Sequence, residues 1–86
     1  MIIKLYTGDS CPACQALKKR LIKLDLVEYE ECNVGYSEHK EALQSLGLRS
    51  IPSLVIYNNN NVMMDTLVGN VASDDYLEEF FSTWSS

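Results

Sequence analysis

Cys11-Pro12-Ala13-Cys14 is the stretch of sequence that decides the fold. Its two thiols lie three positions apart, directly after the apolar run Ile2 to Tyr6 and at the start of a helix-period pattern. A C-x-x-C motif alone is shared by redox and metal sites, but one that follows a strand and opens a helix in a βαβ context is typical of redox chemistry. The stretch therefore predicts a dithiol that opens and closes a disulfide.

The position of Cys11 at a helix N-terminus predicts a reactive sulfur. Disulfides exchange when a thiolate attacks a sulfur in line, and a free thiol with a pKa of about 8.5 is mostly protonated at neutral pH. Unpaired N–H groups and the helix dipole stabilise an anion at this end, so we expect the pKa of Cys11 to fall. We expect Cys14, one turn further in, to be more buried and to resolve a mixed disulfide on Cys11. Pro12 stiffens the turn, and Ala13 leaves the sulfur uncrowded.

Hydrophobic periodicity along the chain predicts the element order βαβαββα. The predicted strands are Ile2 to Tyr6, Val27 to Val34, Leu54 to Tyr57 and Val62 to Val68. The predicted helices begin near Pro12, at Glu38 and after the capping residue Ser73, and the first two end near Leu24 and at Leu46. The unbroken apolar run of the third strand indicates burial on both faces. This order implies an α/β fold, with a four-stranded mixed sheet and helices on both faces.

Length and composition indicate a small globular protein. The 86 residues, of which 47% are hydrophobic and 22% charged, make one domain over 1–86. The N-terminus lacks a signal-peptide pattern, and no apolar run approaches the roughly 20 residues that span a bilayer, so we expect a cytoplasmic protein with no membrane partner. Three cysteines, an odd number, are a poor basis for a structural disulfide framework.

The charge of the chain bears on its partners. A formal net charge of −5 argues against nucleic acid, because phosphate binding needs clustered positive charge. Four of the seven basic residues nevertheless lie in one short stretch, namely Lys18, Lys19, Arg20 and Lys23. This basic stretch is either a solvated helix face or a footprint for an acidic partner. We expect the protein to be a monomer.

A metal site is the alternative use of the thiols. Cys11, Cys14, Cys32 and His39 could supply a Cys₃His zinc site. Six residues separate Cys32 from His39 in a strand-to-helix connection, whereas structural zinc sites usually use two tightly spaced pairs. We therefore interpret Cys32 as a small apolar side chain at a strand end and His39 as a surface residue, and we expect no metal ligands.

The segment Ser50-Ile51-Pro52-Ser53 is the second informative motif. A proline before a buried strand cannot donate to the sheet ladder and should lie at the first residue of the strand. The spacing does not decide between a cis and a trans Ile51–Pro52 bond, and only about 5% of X–Pro bonds are cis. A cis bond would aim the Ile51 backbone groups towards the dithiol, where they could pair with an extended substrate as an added strand.

Over essentially its whole length the chain resembles glutaredoxins and small thioredoxins. Three parts carry the resemblance: the active-site segment Tyr6-Thr7-x-x-x-Cys11-Pro12-x-Cys14, the cis-proline motif Ser50-Ile51-Pro52-Ser53, and Leu67-Val68-Gly69 followed by Ser73-Asp74-Asp75-x-Leu77. The resemblance implies a thioredoxin-like fold and dithiol–disulfide oxidoreductase activity. It also implies Cys11 as the nucleophile, Cys14 as the resolving thiol and a cis Pro52.

The same resemblance implies how partners are held. A disulfide-containing protein substrate would contact the residues around the dithiol, namely Pro12, Ile51, Pro52, Val68 and Gly69. Glutathione, one implied electron source, would contact Tyr6, Asp74 and Asp75. The other implied source is an enzyme of the thioredoxin-reductase type. No bound cofactor is expected.

Some positions depart from the patterns of these families. Leu5 stands where thioredoxins carry a buried carboxylate, and Gly8 stands where glutaredoxins commonly carry a basic residue that helps to bind glutathione. Gly69 is followed by Asn70 rather than by a second glycine. These differences favour the reduction of protein disulfides, such as that of a ribonucleotide reductase, over glutathione-dependent activity. A non-catalytic binding module and a metal carrier on the same fold are further hypotheses.

Overall fold

The backbone follows the predicted order of strands and helices. The computed structural model describes residues 1–84 and contains four strands and three helices in this range. The strands are β1 (Ile2–Thr7), β2 (Glu30–Asn33), β3 (Ser53–Tyr57) and β4 (Met63–Val68). The helices are α1 (Pro12–Lys23), α2 (Ser37–Ser45) and α3 (Asp74–Trp84).

The strands of residues 1–84 form one mixed sheet in the order β2-β1-β3-β4. β1 pairs parallel with β2 and antiparallel with β3, and β3 pairs antiparallel with β4. A parallel pair needs a crossover connection, and α1 provides it between β1 and β2. Because α1 begins shortly after β1 ends, the dithiol lies at the C-terminal end of β1, one of the two central strands of the sheet.

Two clusters of buried side chains cover the two faces of the sheet. The larger cluster joins β1 and β3 to α1 and α3, and its buried members are Ile3, Leu5, Leu17, Leu21, Leu54, Ile56, Leu77, Phe80 and Phe81. The second cluster joins the sheet to α2, and its buried members are Tyr6, Cys32, Leu43, Val55 and Tyr57. Every residue of β3 is buried, which confirms the predicted burial on both faces. The prediction of helices on both faces is also confirmed.

Helices α1 and α3 each pack one apolar stripe against the sheet. In α1 the stripe includes Leu17 and Leu21, and in α3 it includes Leu77, Phe80 and Phe81, all of them buried. The longest of the three described helices has 12 residues. Within residues 1–84, no helix combines the length and the apolar character needed to cross a membrane.

The second strand is shorter than the predicted Val27 to Val34. The chain leaves α1 through a turn in which the Leu26 N–H donates to the Leu21 carbonyl, and Val27 is half exposed. Pairing with β1 begins only at Glu30. The apolar residues before Glu30 therefore close the end of α1 rather than extend the sheet.

Candidate active site

The site is built at the N-terminus of α1. Cys11 is the N-cap residue, with extended backbone angles (φ −129°, ψ 94°), and the helix begins at Pro12. The backbone N–H of Cys14 donates to Cys11 Sγ at 3.1 Å. An N-cap side chain normally uses oxygen to satisfy a free N–H group at this end of a helix. Here a sulfur takes that position, and the N–H group and helix dipole favour negative charge on it.

Cys11 and Cys14 are joined by a disulfide, with their Cα atoms 5.2 Å apart. The two residues differ in exposure, because Cys11 is half-buried whereas Cys14 is completely buried. The expectation that Cys14 is the more buried of the two is therefore confirmed. Since thiol–disulfide exchange depends on access to the attacked sulfur, Cys11 is the sulfur that an incoming thiol or disulfide can reach.

The Ile51–Pro52 segment lies beside the dithiol, and its peptide bond is cis, as the resemblance implies. The Ile51 carbonyl oxygen is 4.0 Å from Cys11 Sγ. The Gly69 N–H donates to the Pro52 carbonyl at 2.7 Å, which ties the end of β4 to this segment. These contacts bring Cys11, Ile51, Pro52 and Gly69 together at one surface, with the exposed Val68 next to Gly69.

The predicted substrate-contact residues differ in what they offer to a partner. Pro12 and Val68 are exposed, and Ile51 and Gly69 are half-buried. Pro52 is fully buried, so its ring has no surface for a substrate. The expected contact of a substrate with Ile51 and Pro52 stays a prediction, and Ile51 is the one of the two with accessible surface.

Tyr6 does not lie at this surface. Its side chain is 1% exposed within the second core cluster, and its hydroxyl is hydrogen-bonded to that of Tyr57 at 2.9 Å. Burial, together with this hydrogen bond, raises the pKa of Tyr6 above its ordinary value of 10.0. The prediction that Tyr6 contacts glutathione is therefore wrong, because the buried ring is closed to a ligand.

The two predicted acidic contacts lie in the first turn of α3. The Asp74 carboxylate accepts hydrogen bonds from Arg20 Nε at 3.2 Å and from Arg20 Nη2 at 2.7 Å. Asp75 is exposed. Both carboxylates suit the positive end of the helix dipole. Their contact with glutathione stays a prediction, and Asp74 already has a partner within the chain.

The basic stretch is partly neutralised within the chain. Lys18 Nζ lies 3.1 Å from Glu31 Oε2, and Arg20 pairs with Asp74. Glu31 also accepts a hydrogen bond from the Thr7 hydroxyl at 2.8 Å. The hydrogen bonds from Thr7 and then from Lys18 lower the pKa of Glu31. Because a carboxyl group with a lowered pKa stays ionised, Glu31 suits an ion pair better than the role of a proton acceptor. With two of its four cations paired, the stretch fits a solvated helix face better than a footprint for an acidic partner.

A groove with a volume of about 820 Å³ opens beside the dithiol loop. Gly8 and Ile51 line it on the dithiol side, and Lys40 and Arg49 add positive charge. A Cβ atom on Gly8 would lie 2.7 Å from Ile51 Cδ1, so the Ile51 side chain fills the space beside this glycine. The groove was not predicted from the sequence because its lining comes from separate segments of the chain. Lys40 and Arg49 were the only sequence feature that could have indicated it.

The remaining candidates for a zinc site are not gathered around the dithiol. Cys32 is 1% exposed in the second core cluster, as expected for a small apolar side chain, and burial raises the pKa of its thiol. His39 is half-buried and makes an edge contact with the Tyr36 ring. Among residues 1–84, no three His, Cys, Asp or Glu side chains are arranged to hold a metal ion.

Comparisons with known proteins identify the family from a family model and the fold from solved structures. The glutaredoxin family model matches residues 3–62. The structure is similar to Malassezia sympodialis thioredoxin (Mala s 13), with a TM-score of 0.73 and 20% identity over 99% of this chain and 75% of that chain. It is similar to Chlamydomonas reinhardtii thioredoxin f2, with a TM-score of 0.70 and 20% identity over 95% of this chain and 76% of that chain.

A third similar structure is the oxidised C-terminal domain of Neisseria meningitidis DsbD, with a TM-score of 0.66 and 18% identity over 94% of this chain and 78% of that chain. A search of curated proteins found no match. At these identities the solved structures establish the fold, which is thioredoxin-like. Because the family model spans more than half of the sequence and includes the bonded Cys11–Cys14 pair, the chain belongs to the glutaredoxin family and is a thiol–disulfide oxidoreductase.

Proposed function

We propose that this protein is an electron carrier that reduces disulfides in other proteins. The observation that supports this most directly is the difference between the two bonded cysteines. Cys11 is half-buried at the N-cap of α1, whereas Cys14 is completely buried beneath it. This arrangement suits a sulfur that reacts first with a partner and a second sulfur that completes the exchange.

The reaction begins from the reduced dithiol. The Cys11 thiolate attacks one sulfur of the substrate disulfide, so that a mixed disulfide forms and the other substrate sulfur leaves as a thiolate and takes up a proton. The Cys14 thiol loses its proton and attacks Cys11 Sγ, which breaks the mixed disulfide and releases the second substrate sulfur. The substrate gains two electrons and two protons, and the Cys11–Cys14 disulfide forms.

The Cys14 backbone N–H assists both steps because it points at Cys11 Sγ from 3.1 Å. It stabilises the attacking thiolate in the reduced protein. When a reductase thiolate attacks Cys11 to restore the dithiol, Cys14 leaves as a thiolate and takes up a proton. A second reductase thiolate then breaks the mixed disulfide, and the Cys14 N–H stabilises the negative charge that returns to Cys11. A lower thiol pKa also makes Cys11 a better leaving group.

The surface around Cys11 suits an extended segment of a protein substrate. The Ile51 carbonyl is 4.0 Å from Cys11 Sγ, and Pro12, which follows Cys11, and Val68, which precedes Gly69, are exposed. Main-chain groups of a substrate would pair with the Ile51 backbone as an added strand, with the substrate disulfide against Cys11. The disulfide of a ribonucleotide reductase is one substrate of this class.

The proposed electron source is an enzyme of the thioredoxin-reductase type, in the cytoplasm. Gly8 offers no basic side chain to glutathione, and the Ile51 side chain fills the space beside Gly8. The Asp74 carboxylate is held by Arg20 and is less available to an amino group. Both features reduce the number of charged contacts open to glutathione.

Glutathione is the second candidate electron source, and the groove beside Gly8 and Ile51 favours it. The basic Lys40 and Arg49 line this groove together with the acidic Asp9, and the two positive charges suit the carboxylates of a small acidic peptide. The two candidates differ in which surface is used. A reductase would dock over the dithiol, whereas glutathione would occupy the groove.

Reduction of insulin with two electron sources tests the proposal. Wild type, Cys11→Ser and Cys14→Ser are assayed with NADPH and thioredoxin reductase, and separately with NADPH, glutathione and glutathione reductase. We expect turnover by wild type with thioredoxin reductase, background rates for Cys11→Ser, and a covalent adduct of Cys14→Ser with the substrate, seen by mass spectrometry. Cys32→Ala is the matched control, since it replaces a cysteine outside the dithiol and should keep its activity.

The outcomes separate the hypotheses. Wild type that is inactive with both electron sources contradicts the carrier role and leaves the binding-module hypothesis. Faster turnover with glutathione than with thioredoxin reductase favours the second candidate. In that case Lys40→Gln and Arg49→Gln should raise the glutathione concentration needed for half-maximal turnover, because each removes a positive charge from the groove.

A further inference from the structure

The Arg20 guanidinium binds the segment 69–74, which joins β4 to the first residue of α3. Its Nη1 donates to Asn70 Oδ1 at 3.0 Å, and its Nη2 donates to the Ala72 carbonyl oxygen. Nη2 and Nε both donate to Asp74 Oδ1, at 2.7 Å and 3.2 Å. The Arg20 side chain is 27% exposed. One side chain of α1 thus holds three residues of this segment.

The segment 69–74 also borders the dithiol surface. At its start, Gly69 donates its N–H to the Pro52 carbonyl at 2.7 Å, and Gly69 has a φ of 86°. Val68, directly before it, pairs with Ser53 in the sheet. Val71 lies between Asn70 and Ala72, two of the residues that Arg20 contacts, and it is 89% exposed. The segment is therefore fixed at both ends and presents an apolar side chain to solvent between them.

For holding the segment 69–74 in place, the geometry of the Arg20 hydrogen bonds matters more than the charge of Arg20. An isolated surface ion pair contributes little to stability. A planar guanidinium that donates at once to a carboxylate, an amide oxygen and a backbone carbonyl fixes orientation, which a lysine ammonium does not do. A binding surface that is ordered before its partner arrives avoids the entropy cost of ordering it during binding.

We propose that Arg20 is a positioning residue that holds the segment 69–74, with its exposed Val71, in the shape that a protein substrate contacts. This inference rests on the proposed function. Arg20 acts on the surface beside Cys11 through Asn70, Ala72 and Asp74 rather than through the reacting sulfurs. Its removal should therefore weaken the use of a large substrate and spare the reaction with a small disulfide.

Steady-state kinetics of Arg20→Gln test this separation. We expect the KM for insulin to rise about tenfold, equivalent to about 1.4 kcal/mol, with kcat unchanged. The rate with a small aromatic disulfide should stay at the wild-type value, and Arg20→Lys should recover part of the loss. Lys19→Gln is the matched control, because it removes the same charge from an exposed neighbour whose side chain makes no hydrogen bond within residues 1–84, and it should behave as wild type. An unchanged KM, or an equal loss with both substrates, overturns the inference.

Amide hydrogen exchange tests the positioning without any catalytic assay. In Arg20→Gln, and more weakly in Asn70→Ala, the Gly69 amide should exchange faster while the amides of β3 keep their protection. Equal exchange of the Gly69 amide in Arg20→Gln and wild type overturns the inference. Inactive wild type in every disulfide assay would contradict the proposed function instead, and the exchange result would still decide whether Arg20 holds the segment.

Discussion

At the scale of single residues, the chemistry depends on one backbone donor and one sulfur. The Cys14 N–H lies 3.1 Å from Cys11 Sγ, at the end of α1 where the helix dipole is positive. Leu5, at the position where thioredoxins carry a buried carboxylate, is completely buried in the larger core cluster. The nearby Glu31 is committed to Thr7 and Lys18. The helix end therefore stabilises the Cys11 thiolate, and position 5 offers no carboxylate to accept the proton of Cys14.

Tyr6 leads to a prediction about alkaline stability. Its pKa is raised above 10.0, first by burial and then by the hydrogen bond to Tyr57, so the folded protein holds this proton more tightly than the unfolded chain does. The stability that Tyr6 contributes is complete below about pH 10 and is lost as the pH rises through the folded-state pKa. We expect the free energy of urea unfolding to fall more steeply above pH 10 in wild type than in Tyr6→Phe.

Two further results define this prediction. At neutral pH, Tyr6→Phe should cost about 1–2 kcal/mol, because it leaves the buried Tyr57 hydroxyl without its partner. Tyr76→Phe, at a half-exposed tyrosine, serves as the control and should keep the wild-type pH profile. Parallel pH profiles for Tyr6→Phe and wild type would contradict the account.

The different outcomes for Cys14 and Tyr6 show what sequence alone can establish about a residue. The burial of Cys14 could be predicted because it follows from local spacing on one helix. The burial of Tyr6 could not, since alternation along β1 assigns Tyr6 and Leu5 to opposite faces without saying which face carries the site. The partner of Tyr6, Tyr57, lies 51 residues away in sequence.

At the scale of elements, α1 both presents the dithiol and anchors itself to the sheet. Leu21, with no exposed surface, lies in the larger core cluster, whereas its neighbour Ile22 is 66% exposed. We predict that Leu21→Ala lowers the free energy of unfolding by about 2–4 kcal/mol through lost contacts and a cavity. Ile22→Ala is the matched control and should change it by less than about 0.5 kcal/mol. Similar losses in the two variants, measured by urea unfolding, would show that α1 does not pack as described.

Element order was predictable, whereas several element boundaries were not. Helices are marked by local periodicity and caps, so α1 and α3 could be located from sequence. A strand ends where its partner stops pairing, and this is why β2 begins at Glu30 instead of Val27. The groove beside Gly8 escaped prediction for a related reason, since only the folded chain brings its lining together.

At the scale of the whole molecule, the edges of the sheet bear on association. β2 and β4 are the edge strands in residues 1–84; β2 has four residues and carries Glu30 and Glu31, and β4 carries Asp65. A short, charged edge strand such as β2 disfavours pairing between copies. Because the protein has a net charge of −5, its copies repel one another, and we predict that it sediments as a monomer at neutral pH. A dimer that forms with increasing concentration would contradict this.

The thioredoxin-like fold was predictable because the resemblance extends along the chain and the spacing of Cys11 and Cys14 is local. The charged contacts that shape the surface around the dithiol could not be predicted from the sequence. Arg20 and Asp74 are far apart in sequence, and nothing in the basic stretch distinguished Arg20 from Lys19. The side-chain geometry of α1 against the segment 69–74 supplies that distinction.

The pH dependence of Cys11 alkylation tests the central claim most directly. The reduced protein is treated with iodoacetamide over a range of pH, and the rate at Cys11 is followed by mass spectrometry, with Cys14 and Cys32 resolved from it. Because the N-terminus of α1 favours the thiolate, we predict a midpoint below the value of about 8.5 for an ordinary free thiol. A midpoint at or above that value would contradict the claim that the helix end activates this sulfur.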